Sequence, residues 1–333
     1  MVAKGSWKAH AGGAPCNVAC ALSKLGCEVA FAGAVGDDKE GHDLLALLEE
    51  HGVKTTLTKA LKGEQTRTVM VTRDMSGERT FAGFGEGKSS TSFADCQYSL
   101  DGLDTESLKG VNWLVQGTIG MSHGPAAESH EQLSDLVKSK GGKVLIDVNY
   151  RPVFWEHLKD DVGEQWEQKA REIILKACHR ADALKMTDEE AEFLSNGAIT
   201  AEKAFGEPSL VLQLFPAAKA VLITSGSKGA SYDIMGIMGH VQGFDVECVE
   251  STGAGDAFTA GFLYEMEKYV SFDMDLEELI LTQSQVQECS DAVTFAAAMG
   301  ALTVTKHGAI AGQPMLQEVK DLLANAAVES GKI

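Results

Sequence analysis

The residues best suited to chemistry lie at 250–263, "ESTGAGDAFTAGFL", where Gly253, Ala254 and Gly255 run directly into Asp256 and then into an apolar stretch with helical spacing. A Gly-Ala-Gly turn at a helix start leaves several backbone N–H groups without intrahelical partners at the positive end of the dipole. With no bulky side chains there, a phosphate can approach them closely. A carboxylate beside such an anion hole meets the needs of phosphoryl transfer to a hydroxyl. The N–H groups hold the charge of the transferring group, and the acid accepts the attacking hydroxyl's proton. Taken alone, Asp256 fits equally well as a first-turn acid that stabilises its helix by about 1 kcal/mol. That role leaves the three small residues before it without a reason.

Two other glycine-rich stretches invite comparison. "AGGAPCNVACALSKLG" (11–26) also opens a helix. Gly12 and Gly13 would let a ligand lie against bare backbone, and Asn17 offers both a donor and an acceptor, although Gly-Gly-Ala-Pro before a helix is often only a turn. "GFGEGKSS" (83–90) holds Gly-Lys-Ser, but it is one residue short of the GxxxxGK[ST] spacing and no helix start follows, so it reads as a solvated turn.

Positioning such turns takes a scaffold, and the chain supplies a repeating one. "EVAFAGAVG", "VNWLVQG", "KVLIDVN", "ADALKM" and "AVLITSG" read as buried strands, and amphipathic helices lie between them, among them "GHDLLALLEEHGV", "AAESHEQLSDLVKSKGG", one over 162–178 and the short "TDEEAEFLS". Further helices are expected after 255, near 290 and near 315. Short apolar strands alternating with helices predict an α/β fold, a mostly parallel sheet covered on both faces. The exception is "TRTVMVTRDMSGERTFAGF" (66–84), whose alternation on either side of a "DMSGE" turn predicts an antiparallel hairpin, placed as a lid over 63–85 within a single domain spanning 1–333.

Composition bounds the ligands. With 48 acidic against 29 basic side chains the net charge is −19, which argues against direct nucleic-acid binding but leaves phosphorylated small molecules open. No apolar run reaches the roughly 18 residues of a membrane helix. The start "MVAKGSWKAHAGG" has neither a signal core nor an Arg-rich transit pattern, so an intracellular, cytoplasmic protein is expected. The seven cysteines form no CxxC pair and the nine histidines no HExxH, so reduced buried thiols and no protein-built metal site are expected.

The two glycine-rich helix starts, in this order at opposite ends of the chain, resemble the two signature regions of the PfkB family of ribokinase-like carbohydrate kinases. The likeness extends through "VGDDKEGHDLLALLEEHGV", the hairpin, "DVNYRPVFW" (147–155), "LKMTDEEAEFL" (184–194), "LITSGSKGA" (222–230) and "GALTVTKHGAIAGQP" (300–314), and is closest to fructokinase-like members of plants and cyanobacteria. The resemblance implies a ribokinase-like three-layer sandwich with a small β lid. It implies an ATP- and Mg²⁺-dependent sugar kinase, with fructose the expected substrate. By similarity Asp256 is the catalytic base and Gly253, Ala254 and Gly255 the anion hole. Glu190 organises Mg²⁺ through water, with Thr187 where the family's NxxE motif has Asn. Thr224, Gly226 and Gly229 form the nucleotide turn, and "FAAAMGAL" the helix beside the adenine. Gly12, Gly13 and Asn17 hold sugar hydroxyls, and Arg151 contacts substrate or phosphate, although on its own it reads as well as a surface arginine. A homodimer through the lid is a further expectation.

Two departures qualify that picture. The family's first strand and its sugar-holding Asp have no counterpart ahead of Ala11, so a shortened start, a sheet lacking one strand and an upstream plastid-targeting segment enter as expectations. Glu250 replaces the Asp that contributes to a monovalent-cation (K⁺) site in some members. The competing expectation is a PfkB-fold binding subunit without catalysis, as in plastid fructokinase-like proteins associated with transcription.

Overall fold

The apolar runs at 113–117, 143–147, 183–187 and 220–224 pair as parallel strands because each is too short for a helix and is apolar on both faces. In the computed structural model, which describes residues 9–73, 79–269 and 282–329, the strands are β1 (Ala30–Gly36), β2 (Lys54–Leu61), β3 (Val69–Arg73), β4 (Arg79–Phe84), β5 (Trp113–Gly117), β6 (Lys143–Asp147), β7 (Ala183–Thr187), β8 (Ala220–Thr224), β9 (Ala230–Ile234) and β10 (Ile237–Val241). The main sheet has the order β10-β9-β8-β7-β6-β5, with β5 to β8 parallel and β9 and β10 added antiparallel at one edge.

Both faces of this sheet are buried. Val144, Ile146, Leu184, Met186, Val221 and Ile223 point to one side, into a core with Trp155, Ile174 and Phe215. Leu145, Ala183, Ala220 and Leu222 point to the other, against Phe258, Phe262, Val293 and Ala296 of the helices Ala254–Tyr269 and Gln283–Val304. The result is the three-layer α/β sandwich expected. Among the described residues β1 and β2 form a separate parallel pair, and the helix Ala14–Lys24 rests on both β1 and β5.

The hairpin is present: β3 and β4 pair antiparallel from Val69↔Phe84 to Arg73↔Arg79, while the "DMSGE" turn, 74–78, lies outside the described residues. Its base is fastened to the body by Arg67. That guanidinium donates to Asp95 at 2.7 Å and lies over the rings of Phe84, Phe93 and Phe154.

Several boundaries differ from those read in the sequence. The expected helix over 162–178 divides into Lys159–Val162 and Trp166–Cys178, because Gly163 adopts φ +59° and ends the first turn. Strands β2, β9 and β10 were not anticipated. β10 alternates buried and exposed residues at the sheet edge and is weakly apolar as a run. Cysteines 16, 20, 96, 178 and 289 are buried and all seven are free. Among the described residues no helix is long and apolar enough to cross a membrane.

Candidate active site

In a parallel sheet every strand carries its following loop at the same edge, so the C-terminal ends of β6, β7 and β8 bring three loops together. Register puts Asp147 opposite Lys185, and Thr187 opposite Thr224, along this edge. The helix Ala254–Tyr269 packs across the same sheet face with its first turn over that edge.

Asp256 sits in this first turn and is 8% exposed. One carboxylate oxygen accepts a 2.7 Å hydrogen bond from Asn17 Nδ2. Burial, then the nearby Asp147 carboxylate, push its pKa up to about 6, against the opposing pull of Asn17, Lys185 and Arg151. It is therefore largely ionised at neutral pH yet basic enough to take a proton. The helix ladder begins with Ala257 N–H donating to Gly253 O at 2.8 Å, so the N–H groups of Gly255 and Asp256 stand ahead of it.

The glycines of this turn have two distinct reasons. Gly253 adopts φ +83°, and a Cβ there would lie 2.9 Å from the Ala309 carbonyl oxygen. At Gly255 an added Cβ would lie 2.8 Å from Lys185 Nζ. The absence of a side chain at 255 thus makes room for a buried lysine as well as leaving the backbone bare. Gly300, in the helix Gln283–Val304, brings that helix against the Ala254 carbonyl, where a Cβ would be 3.1 Å away. This is how the "FAAAMGAL" segment meets the turn.

Asn17 lies on the helix Ala14–Lys24, and its backbone carbonyl accepts from Gln313 Nε2 at 2.7 Å. Its amide nitrogen is committed to Asp256, while its Oδ1 is buried with no protein partner and can accept a hydroxyl. Gly12 and Gly13 precede it, and a Cβ at either would meet nothing within 4 Å.

Glu190 is also buried. Its oxygens accept the N–H of Thr187 at 2.9 Å, closing a capping box, and the N–H of Tyr150 at 2.7 Å. Burial raises its pKa, with Lys185 opposing. Tyr150 can reach it because Asn149 takes a left-handed backbone, φ +39°. The same loop carries Arg151, exposed, 3.8 Å from Glu190 Oε1 and near enough to lower the Asp256 pKa.

The expected nucleotide turn follows β8. Thr224 ends the strand, and its hydroxyl is 3.4 Å from the Met186 carbonyl. Gly226 has φ +51° and open space beside it. Gly229, at φ +97°, backs directly onto the backbone of Val241 to Gly243 where β10 ends, so no side chain fits there. Glu250 is buried, with Oε2 3.3 Å from the Gly308 N–H and 3.4 Å from His307 Nδ1.

The fold therefore gathers Asp256, the Gly253–Gly255 turn, Asn17, Glu190 and Arg151 at one sheet edge. Asp147, Lys185, Thr259 and Gln313 belong to this cluster and were not picked out from the sequence. A signal existed for two of them, since "KVLID" ends an apolar run on an acid and "ALKM" places a lysine inside one.

Comparison with known proteins identifies the family. The model of the pfkB family carbohydrate kinases matches residues 1–316. A fructokinase-2 of Oryza sativa subsp. japonica is 33% identical over 319 residues, covering 95% of this chain and 85% of that protein. The crystal structure of a Xylella fastidiosa fructokinase with bound ATP superposes with a TM-score of 0.77 at 28% identity, over 96% of this chain and 92% of the other. That of a Vibrio cholerae O395 fructokinase in fructose-, ADP- and calcium-bound form gives 0.74 at 25% identity, over 97% and 94%.

Proposed function

Because the chain belongs to the pfkB family of carbohydrate kinases, we propose that it transfers the γ-phosphoryl of ATP to a primary hydroxyl of fructose, with Asp256 as the base. The protein is an ATP-dependent sugar kinase, a phosphotransferase acting on an alcohol group. The observation that carries the assignment of the base is the buried Asp256 carboxylate, with its pKa near 6, beside a turn whose N–H groups precede the helix ladder. In this reading the attacking hydroxyl donates to Asp256, a neighbouring sugar hydroxyl donates to Asn17 Oδ1, and Gly12 and Gly13 are the floor beneath the sugar. Asp256 takes the proton as the oxygen attacks in line, and the backbone of Gly253, Ala254 and Gly255 holds the phosphoryl charge.

Thr224 and Gly226 line the nucleotide side, and Arg151 faces the phosphates. Magnesium would supply charge neutralisation on the phosphates. Glu190 suits a water-mediated contact, since each oxygen already accepts one backbone bond and keeps a lone pair. Glu250, standing where some family members have an Asp at a monovalent-cation site, would contribute a carboxylate to a potassium ion, and activity in potassium against choline salts tests that dependence. The β3–β4 hairpin acts as the lid, and its exposed Val69, Val71 and Phe81 support a dimer through it. The intact acid and turn, with fructokinases among the relatives, favour an enzyme over a binding subunit.

An ADP-release assay with ATP and a panel of sugars tests the reading. Fructose should give the highest kcat/KM, and its failure to turn over while another sugar does would overturn the choice of substrate.

A further inference from the structure

One buried ion pair near Asp256 has no part in the reaction as set out above. Lys185 and Asp147 are cross-strand partners in β7 and β6, with Nζ 3.1 Å and 3.4 Å from the two carboxylate oxygens. Their side chains are 6% and 5% exposed, and Lys185 is the one buried lysine among the described residues. On the same sheet face the neighbouring positions are Leu145, Ala183, Ala220 and Leu222. An apolar pair would fill this layer at no loss of stability, because desolvating two charges offsets most of their mutual attraction. Stability of the sheet therefore does not explain the pair.

Its surroundings do. Lys185 Nζ occupies the space beside Gly255 that a side chain would take, directly under the turn. On the other side of the pair, the Thr259 hydroxyl is 3.2 Å from Asp147 Oδ2 and 3.0 Å from the Gly255 carbonyl, and can donate to either. The ion pair thus reaches Gly255 from two directions, and Asp256 is the next residue.

We propose that Lys185 and Asp147 are positioning residues of the transfer step: together they brace the Gly253–Gly255 turn from beneath and govern the charge carried by Asp256. The inference rests on Asp256 being the base. The two partners act on it in opposite senses, Asp147 disfavouring its ionised form and Lys185 favouring it. Lys185 itself stays charged. Burial opposes its charge, but Asp147, Glu190 and Asp256 outweigh burial and raise its pKa. The other groups facing Asp256 are Asn17 and the Cys16 thiol on the helix Ala14–Lys24 and Arg151 on the loop after β6. None of these changes sign when the ion pair is altered.

The test is the acid limb of the kcat–pH profile, measured by ADP release with fructose for wild type, Asp256→Asn, Asp147→Asn, Lys185→Met and the double variant. Thermal midpoints at each pH separate loss of fold from loss of function. Asp147→Asn should move the limb down by about one pH unit and Lys185→Met up by about one, with the double variant between them. A limb that stays put in both single variants, with activity falling only in step with the folded fraction, would reduce the pair to a structural strut and overturn the proposal. If Lys185→Met does not fold, the isosteric Asp147→Asn decides alone: a downward shift supports the proposal, and an unmoved limb sinks it. Full turnover by Asp256→Asn would instead remove the base, and this inference would fall with it, a failure visible before any ion-pair variant is compared.

Discussion

The two glycine-rich helix starts look alike in sequence and differ in what surrounds them. At Gly253 and Gly255 the space of a side chain is already filled, by the Ala309 backbone and by Lys185. At Gly12 and Gly13 it is empty to 4 Å. The first turn is a packed device whose glycines are required by the protein itself. The second is an open floor: at Gly12 a missing side chain matters only to whatever lies on it, while Gly13, at φ +115°, is also held to glycine by its backbone. The same residue type thus marks rigidity at one site and ligand access at the other.

Four substitutions or titrations would break or sharpen this contrast. The largest effect is expected from Asp256→Asn, which should lower kcat by roughly 10²–10⁴ with little change in ATP affinity, read by ADP release and calorimetry. Next is Gly255→Ala. Its methyl must displace Lys185 or lift the turn, and a displacement of the order of 1 Å should lower kcat by about 10- to 100-fold. An unimpaired Gly255→Ala enzyme would show that the packed turn tolerates movement.

A smaller and graded effect follows from pH. Because the native pKa of Asp256 is about 6, kcat should fall about tenfold per unit below pH 6. The same raised value has an inverse consequence for stability. The folded state holds this proton more tightly than the unfolded chain, so stability is lost as pH rises from 3.8 to about 6 and stays lost above that. Asp256→Asn should then be more stable than wild type at pH 7, by an amount on the order of 2–3 kcal/mol, and the gain should vanish below about pH 4. Thermal melts of both proteins at pH 4 and pH 7 check the sign.

The smallest effect belongs to the open turn. Gly12→Ala fits its space and has no backbone strain to add, so stability should stay within about 0.5 kcal/mol of wild type. A sugar lying against it should nonetheless raise its KM by up to about tenfold. An unchanged KM would mean that no sugar touches this residue.

How much of this was legible depended on how local the cause was. The strands of the parallel core could be read because short apolar runs between helices have few other uses. β9 and β10 could not, since β10 alternates at an edge and owes its state to its partner strand. Asp256 was readable from the three small residues before it. Lys185 and Asp147 were readable only as charges in apolar strands, because what pairs them is a register between strands 38 residues apart.

The sequence by itself determined the fold class, the family and the acid at the head of its helix, because periodicity, turn chemistry and motif order are written along the chain. Only the tertiary structure decided what each small or charged residue is for. It assigned the Asn17 amide to Asp256, both Glu190 oxygens to backbone N–H groups, and the space beside Gly255 to a lysine. Those assignments depend on distances between segments remote in sequence, which close packing sets and no local pattern records.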